Sequence, residues 1–305
     1  MPDATARDVG EFGLVGRVTD RLGTAPHVLL GPGDDAALVA VPDGRAVLTT
    51  DVLVEGVHFR RDWSSGYDVG RKAAAANLAD VMAMGGTGTA LLVALVAPSD
   101  LLVRWALELA DGLRDEAAQV GAVVVGGDTT AGERVVVSVT ALGDLGGRDP
   151  VTRAGARPGD LVVVAGRLGC AAAGLALLQA GVDTGPLVDA HRRPRPPYRL
   201  GPALADAGAT AMCDVSDGLA ADLGHVAVSS GVAADLATGL LLPLLSDGVS
   251  LGQALTGGED HGLVATVPAG APLPDGAQVI GRVVAGAPVV RLDGKPVTGG
   301  WEHFA

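Results

Sequence analysis

Aromatic residues make up only 3% of this 305-residue chain, and cysteine occurs only at Cys170 and Cys213. Two thiols cannot build a disulfide framework, nor a zinc site by themselves. Lysine is equally scarce, with only Lys72 and Lys295. No Gly-x-x-x-x-Gly-Lys-Ser/Thr run is present, which excludes a P-loop, and no kinase-type catalytic loop occurs. The longest apolar run, Ala90 to Ala97, has the length of a strand and is too short to cross a membrane. The N-terminus carries Asp3, Asp8 and Glu11 where a signal peptide would have a basic segment before an apolar stretch. A formal charge of -13 argues against nucleic-acid and anionic-membrane partners, which a basic patch would attract. A reduced, cytoplasmic, soluble protein is expected.

What is abundant is apolar residues, at 48%, and glycine, at 46 positions. The first can fill a core, and the length suits two domains. Val-, Leu- and Thr-rich pieces at 45–50, 89–97, 122–125 and 134–142 read as strands, and 67–84 and 100–120 carry helical spacing. Gly146-Gly147-Arg148-Asp149-Pro150 marks a boundary. A second α/β unit follows, with strands expected at 161–165, 211–215, 263–267 and 279–284 and helices at 170–180, 202–207 and 217–229. Three prolines stiffen 192–197. The expected architecture is two mixed α/β domains, 1–147 and 148–305.

The glycines gather beside acids. Five short segments, read as loops, set Asp or Glu against Gly or a hydroxyl: Gly33-Asp34-Asp35, Thr49-Thr50-Asp51, Gly126-Gly127-Asp128-Thr129, Asp214-Val215-Ser216-Asp217-Gly218 and Gly257-Gly258-Glu259-Asp260. Any one of them reads equally as a turn. Together, with Asp51, Asp128 and Asp214 at or just past predicted strands, they favour a site of hard oxygen ligands suited to Mg²⁺. Adjacent carboxylates at Asp34 and Asp35 repel unless a cation or donor offsets them, and Asp35 is the better ligand candidate. Asp80 shares a helical face with Ala73, Asn77 and Met84, so it is either a buried salt-bridge partner or a ligand. Ser216 opens a helix, as a cap or as part of an anion site. Asp214 and Asp217 flank it and would repel a phosphate, a conflict that a bridging Mg²⁺ resolves. His58 reads as a ligand contact or as a half-exposed strand histidine, and Arg153 as a partner of a phosphate or of a surface acid.

In order along the chain these segments resemble the thiamine-monophosphate kinase family. The resemblance rests on Gly10-Glu11-Phe12, Gly33-Asp34-Asp35-Ala36, Thr49-Thr50-Asp51 with Val54-Glu55-Gly56-Val57-His58-Phe59, and Asn77-Leu78-Ala79-Asp80 before Met82-Ala83-Met84-Gly85. It continues through Gly126-Gly127-Asp128-Thr129-Thr130, Thr152-Arg153, Pro158-Gly159-Asp160, Asp214-Val215-Ser216-Asp217-Gly218-Leu219, Gly257-Gly258-Glu259-Asp260 and Trp301-Glu302-His303-Phe304. The resemblance implies an α/β fold of α+β type, in which N-terminal domains pair into a homodimer with a barrel-like interface. It implies that Asp35, Thr49, Thr50, Asp51, Asp80, Asp128, Asp214 and Asp217 bind Mg²⁺. It also implies that Gly127, Asp128, Arg153 and Ser216 contact ATP, and that His58, Glu259 and Trp301 meet thiamine phosphate. Where the family has Tyr and Glu after the Gly-Gly-Glu-Asp motif, this chain has His261 and Gly262. Trp105, in the predicted helix 100–120, reads as a packing residue.

The implied reaction moves the γ-phosphoryl of ATP onto thiamine monophosphate, the last step to thiamine diphosphate. A phosphate monoester is largely ionised near pH 7, its second pKa being about 6, so the acceptor needs no general base. That fits direct transfer between two anions aligned by Mg²⁺. A selenophosphate synthetase is disfavoured because the first cysteine is Cys170. An aminoimidazole ribonucleotide synthetase, a metal-dependent hydrolase and a non-catalytic nucleotide binder are the other readings.

Overall fold

The structure, a computed structural model, describes residues 4–32 and 36–302. The chain divides into two compact units, Met1–Val81 with Thr87–Gly147 and Met82–Gly86 with Arg148–Ala305.

The first unit opens with α1 (Ala6–Thr19), started by a capping box in which Thr5 and Asp8 satisfy each other's backbone N–H. The short strands β1 (Val28–Leu30) and β2 (Leu38–Val39) pair with each other. Then come β3 (Val47–Val54), α2 (Gly66–Ala83), β4 (Thr87–Ala97), α3 (Val103–Ala117), β5 (Val123–Ala131) and β6 (Val136–Asp144). The four long strands form one sheet in the order β3-β6-β4-β5, with only the β4–β5 pair parallel. In α2, Ala73, Ala74, Ala75, Ala76 and Ala79 are all buried, so backbone rather than bulk meets the neighbouring elements. Helix α3 buries Trp105, Leu109 and Leu113, and the Trp105 ring stacks on Phe59 at 6.4 Å, the packing role expected of it. Glu116 on the same buried side is matched by the Arg71 guanidinium.

The sheet's two faces differ. Along β6, Val137, Val139 and Ala141 are buried while their alternating neighbours are half-exposed, and on β3 and β4 Leu48, Val52 and Leu92 are exposed. One face is thus core and the other is an open apolar surface.

The second unit contains β7 (Leu161–Ala165), α4 (Cys170–Gln179), α5 (Pro186–Arg192), α6 (Leu200–Asp206), β8 (Ala211–Val215) and α7 (Leu219–Ser230). It ends with β9 (Ala233–Leu236), α8 (Thr238–Leu241), α9 (Leu251–Thr256), β10 (Gly262–Val267), β11 (Ala277–Val284), β12 (Val289–Leu292) and β13 (Lys295–Pro296). Its seven strands run in the order β13-β12-β9-β11-β7-β10-β8, antiparallel except for β12 on β9. Every residue of β8 and β10 is buried, the polar Asp214 and Thr266 included. The core joins Val162, Cys213, Leu223, Val264 and Ile280.

The architecture is the mixed α/β type expected, but several elements differ from their sequence reading. Helix α1 is invisible to apolar periodicity, since Gly10, Gly13 and Gly16 interrupt it. Helix α5 occupies Pro186–Arg192, so the stiff connection begins at Arg193. Strands β3 and β5 are longer than predicted, which places two of the five supposed acidic loops inside strands. No helix among the described residues is long and apolar enough to cross a membrane.

Candidate functional site

In the first unit, β3 carries Thr49, Thr50 and Asp51. Successive strand residues face opposite sides of the sheet. Thr49 points to α2, where its hydroxyl donates to Asp80 Oδ2 at 2.6 Å. Asp51 follows two residues later, and its backbone N–H is received by Asn77 Oδ1 at 3.0 Å. Asn77 is itself held by donating to the Ala73 carbonyl at 2.9 Å. The helical face read from sequence is therefore real, and Asp80 on it is half-buried and hydrogen-bonded. The Thr50 hydroxyl turns the other way, donating to the Val139 carbonyl at 2.9 Å and lying 3.1 Å from Thr140 Oγ1. The structure groups Thr49, Asp51 and Asp80 and does not bring the Thr50 side chain to them.

His58 sits in the turn after β3, where its Nδ1 accepts from the Val54 N–H at 3.0 Å, leaving Nε2 to carry the proton of the neutral ring. The buried Lys72 ammonium donates to the His58 carbonyl at 3.1 Å and fixes this turn to α2. Gly127 and Asp128 are exposed residues of the edge strand β5, and Asp128 Oδ1 accepts from the Thr129 N–H at 2.8 Å. They line one end of a cavity of about 1180 Å³, whose walls include Leu92, Ala94, Leu109 and Val125. Such an apolar chamber with polar groups among its lining suits a flat heterocycle. Asp35 lies outside the described residues.

In the second unit, the acids cluster at the end of β8. Asp214 is buried and lies 3.3 Å from His261 Nδ1. Asp222, one turn into α7, receives the N–H groups of Asp217 and Gly218, each at 3.0 Å. Burial first, and then the charges of Asp214 and Asp217, push its carboxyl up to about 7. Ligand atoms of Asp217, Asp222 and His225 come within 4.8 Å of one another. The Arg153 guanidinium is raised by Cys213, Asp214 and Asp222, so it reaches into this cluster as a compensating charge. Ser216 is half-buried between the two acids, and its carbonyl accepts the Glu259 N–H at 2.8 Å. The Trp301 N–H donates to the Asp217 carbonyl at 2.9 Å, which ties the exposed indole to the same loop. In this unit the structure therefore groups Arg153, Asp214, Ser216, Asp217, Glu259 and Trp301.

Several participants were not found from the sequence. His191 of α5 places Nδ1 3.9 Å from Glu259 Oε2, Asp222 backs the Asp217 turn, and His261 pairs with Asp214. Asp222 lies five residues from Asp217, whereas the other two contacts join residues far apart in the chain. In the sequence Asp260 stands out only as the end of the Gly257–Asp260 motif, yet it is buried, with Oδ1 accepting from the Ala171 N–H at 2.9 Å and Oδ2 without a partner.

Burial raises the Asp260 carboxyl from an ordinary 3.8 to about 6, against the opposing pull of the N–H groups at the start of α4. The folded chain thus keeps a proton that the unfolded chain releases. Stability contributed by this group is full below about pH 4, falls as pH rises to about 6 and is flat above, by about 3 kcal/mol in all. Asp260→Asn removes the titration. Its urea midpoint relative to the native chain is expected to rise between about pH 4 and pH 6 and to level off above, and a constant difference would contradict the assignment.

Thr49, Asp51 and Asp80 in the first unit, and separately Asp214 and Asp217 in the second, offer oxygen donors of the hard type that divalent cations take. The chain matches the AIR synthase related protein N-terminal domain over residues 33–145 and its C-terminal domain over residues 157–293. It is 47% identical to thiamine-monophosphate kinase of Mycobacterium tuberculosis, over 98% of this chain and 93% of that one. The crystal structure of thiamine-monophosphate kinase from Stenotrophomonas maltophilia superposes with a TM-score of 0.81 at 36% identity, covering 94% of this chain and 98% of the other. AaThiL complexed with AMPPCP and TMP superposes with a TM-score of 0.79 at 35% identity, over 98% of both chains. Matched through both of its units by these relatives, the chain belongs to the thiamine-monophosphate kinase family of AIR synthase related proteins.

Proposed function

We propose that this chain catalyses ATP-dependent phosphorylation of thiamine monophosphate to thiamine diphosphate. The observation that carries the reading is its end-to-end likeness to AaThiL complexed with AMPPCP and TMP. The enzyme is a phosphotransferase with a phosphate acceptor, and ATP is its co-substrate.

The residue roles form part of the proposal. Residues 1–147 serve as the ATP- and Mg²⁺-binding and dimerisation domain, and residues 148–305 complete the nucleotide and substrate site. Asp35, Thr49, Thr50, Asp51, Asp80, Asp128, Asp214 and Asp217 would hold Mg²⁺, with Thr50 contributing through a group other than its sheet-bound hydroxyl. Bound Mg²⁺ supplies positive charge that screens the repulsion between two polyanions. Gly127, Asp128, Arg153 and Ser216 meet ATP, the apolar chamber behind Asp128 receiving the base. His58, with its proton on Nε2, Glu259 and the exposed Trp301 ring take thiamine phosphate, the indole suiting a cationic thiazolium. The chain's own task is positioning: Asn77 fixes the Asp51 backbone and Asp222 fixes the Asp217 turn. Because the acceptor phosphate is already ionised, transfer is direct and in line, without a phospho-enzyme.

A homodimer belongs to the same reading. Asp51, Val139, Val93 and Gly127 stand in one row across β3, β6, β4 and β5. Three strand spacings, about 14 Å, therefore separate the backbone of Asp51 from that of Gly127, too far for Asp51 and Asp128 of one chain to share an ion. A second copy covering the open face beside β3, with its β5 next to that strand, removes the exposed Leu48 and Val52 from water and sets the partner's Asp128 near Asp51. A cytoplasmic setting suits Cys170 and Cys213, both free and buried.

The test is a chromatographic end-point assay with ATP, Mg²⁺ and thiamine monophosphate. ADP and thiamine diphosphate are expected in equal amounts, and only when Mg²⁺ is present. ADP without thiamine diphosphate would replace the kinase by a hydrolase or a sister synthetase.

A further inference from the structure

We propose that Asp260 is a positioning residue for thiamine phosphate, acting through Glu259 by clamping the loop between α9 and β10 to the start of α4; this rests on the reading of Glu259 as a substrate contact. The loop is held on one side by the end of β8. Gly258 packs so tightly that a Cβ there would lie 2.3 Å from the Ser216 carbonyl, and the N–H groups of Glu259 and His261 donate to the carbonyls of Ser216 and Val215 at 2.8 and 3.0 Å. Two of its residues, Glu259 with φ 67° and His261 with φ 50°, occupy the left-handed region although neither is glycine. Such residues persist there only when their surroundings hold them.

Asp260, between those two, supplies the hold on the other side. It is 5% exposed, and its Oδ1 accepts from the Ala171 N–H at 2.9 Å, across 89 residues of sequence. Helix α4 needs that acceptor, because its N-cap, Gly169, has no side chain to offer. Oδ2 is buried without a partner. An unpaired buried oxygen costs stability, so the residue is poorly explained as core filling and well explained as a tie between α4 and the loop. With Asp260 turned inward, Glu259 stays at the half-buried side of the loop, within 3.9 Å of His191. Without the tie, the two left-handed residues relax and Glu259 leaves its place.

The test is steady-state kinetics on the full-length protein. Asp260→Ala is expected to raise KM for thiamine monophosphate about tenfold, the cost of one charged hydrogen bond, with kcat and KM for ATP within about twofold of the native values. Asp260→Asn, which keeps the Oδ1 acceptor, is expected to restore KM to within about threefold of the native value. The double variant Glu259→Ala/Asp260→Ala is expected to be no worse than Glu259→Ala, because one residue acts through the other. Additive losses, or losses shared equally by the ATP KM and kcat, would overturn the proposal in favour of a general structural role. A native KM in Asp260→Ala beside a raised KM in Glu259→Ala would overturn it too, whereas a native KM in Glu259→Ala would remove the underlying reading of Glu259. Should Asp260→Ala fail to fold, Asp260→Glu keeps the charge, lengthens the arm by one methylene and carries the same expectation.

Discussion

Asp51→Asn and Asp128→Asn are each expected to lower kcat/KM by at least roughly 10²-fold, because each removes a carboxylate charge from a site that must bring polyanions together. Folding should change little, since both residues are at least partly exposed at sheet edges. The informative experiment mixes the two inactive proteins and lets subunits exchange. In a heterodimer whose sites combine Asp51 of one chain with Asp128 of the other, one site carries both substitutions and the second carries neither. Activity is then recovered, up to about half that of the native dimer per heterodimer. A count of tightly bound Mn²⁺ by electron paramagnetic resonance should rise in parallel, independently of turnover. If each site drew both acids from one chain, every site in the mixture would stay defective and nothing would return. A protein that sediments as a monomer would remove the dimer altogether, a distinct outcome.

The second large effect is expected at Gly127. A Cβ at this position would lie 1.9 Å from the Val93 carbonyl oxygen, and that oxygen belongs to the backbone of the paired strand β4. No rotamer change relieves such an overlap. Gly127→Ala must therefore push β5 away from β4 and shift Asp128 and the rim of the apolar chamber with it. A stability loss of about 3 kcal/mol or more is expected from the urea midpoint, together with at least roughly tenfold weaker binding of an ATP analogue. Gly126→Ala is the control, because its Cβ meets only the end of the Leu92 side chain, at 3.3 Å. If the two variants are equally stable, the close parallel register at Val93 and Gly127 is not what holds this edge.

These expectations combine features of different legibility. Helical spacing alone places Asp80 on one face with Ala73 and Asn77, and the structure keeps that face, with Asn77 reaching the Asp51 backbone. Two glycines before Asp128 give the segment 126–129 the sequence character of a loop. It is strand, because a parallel neighbour supplies its hydrogen-bond partners whatever its intrinsic preference. Thr49 and Thr50 looked equivalent in sequence. The pleat sends one to Asp80 and the other to Thr140.

Composition and motif order by themselves determined the α/β class, the wealth of hard oxygen donors and the absence of a P-loop, because these depend on which residues are present and in what succession. Which acids meet was decided only by the tertiary structure. Thr49 reaches Asp80 across 31 residues, Asp214 reaches His261 across 47 and Asp260 reaches Ala171 across 89. Strand pairing and helix packing set those distances, and no local preference encodes them. The separation of Asp51 from Gly127 across four strands is a property of sheet order, which the chain acquires only on folding.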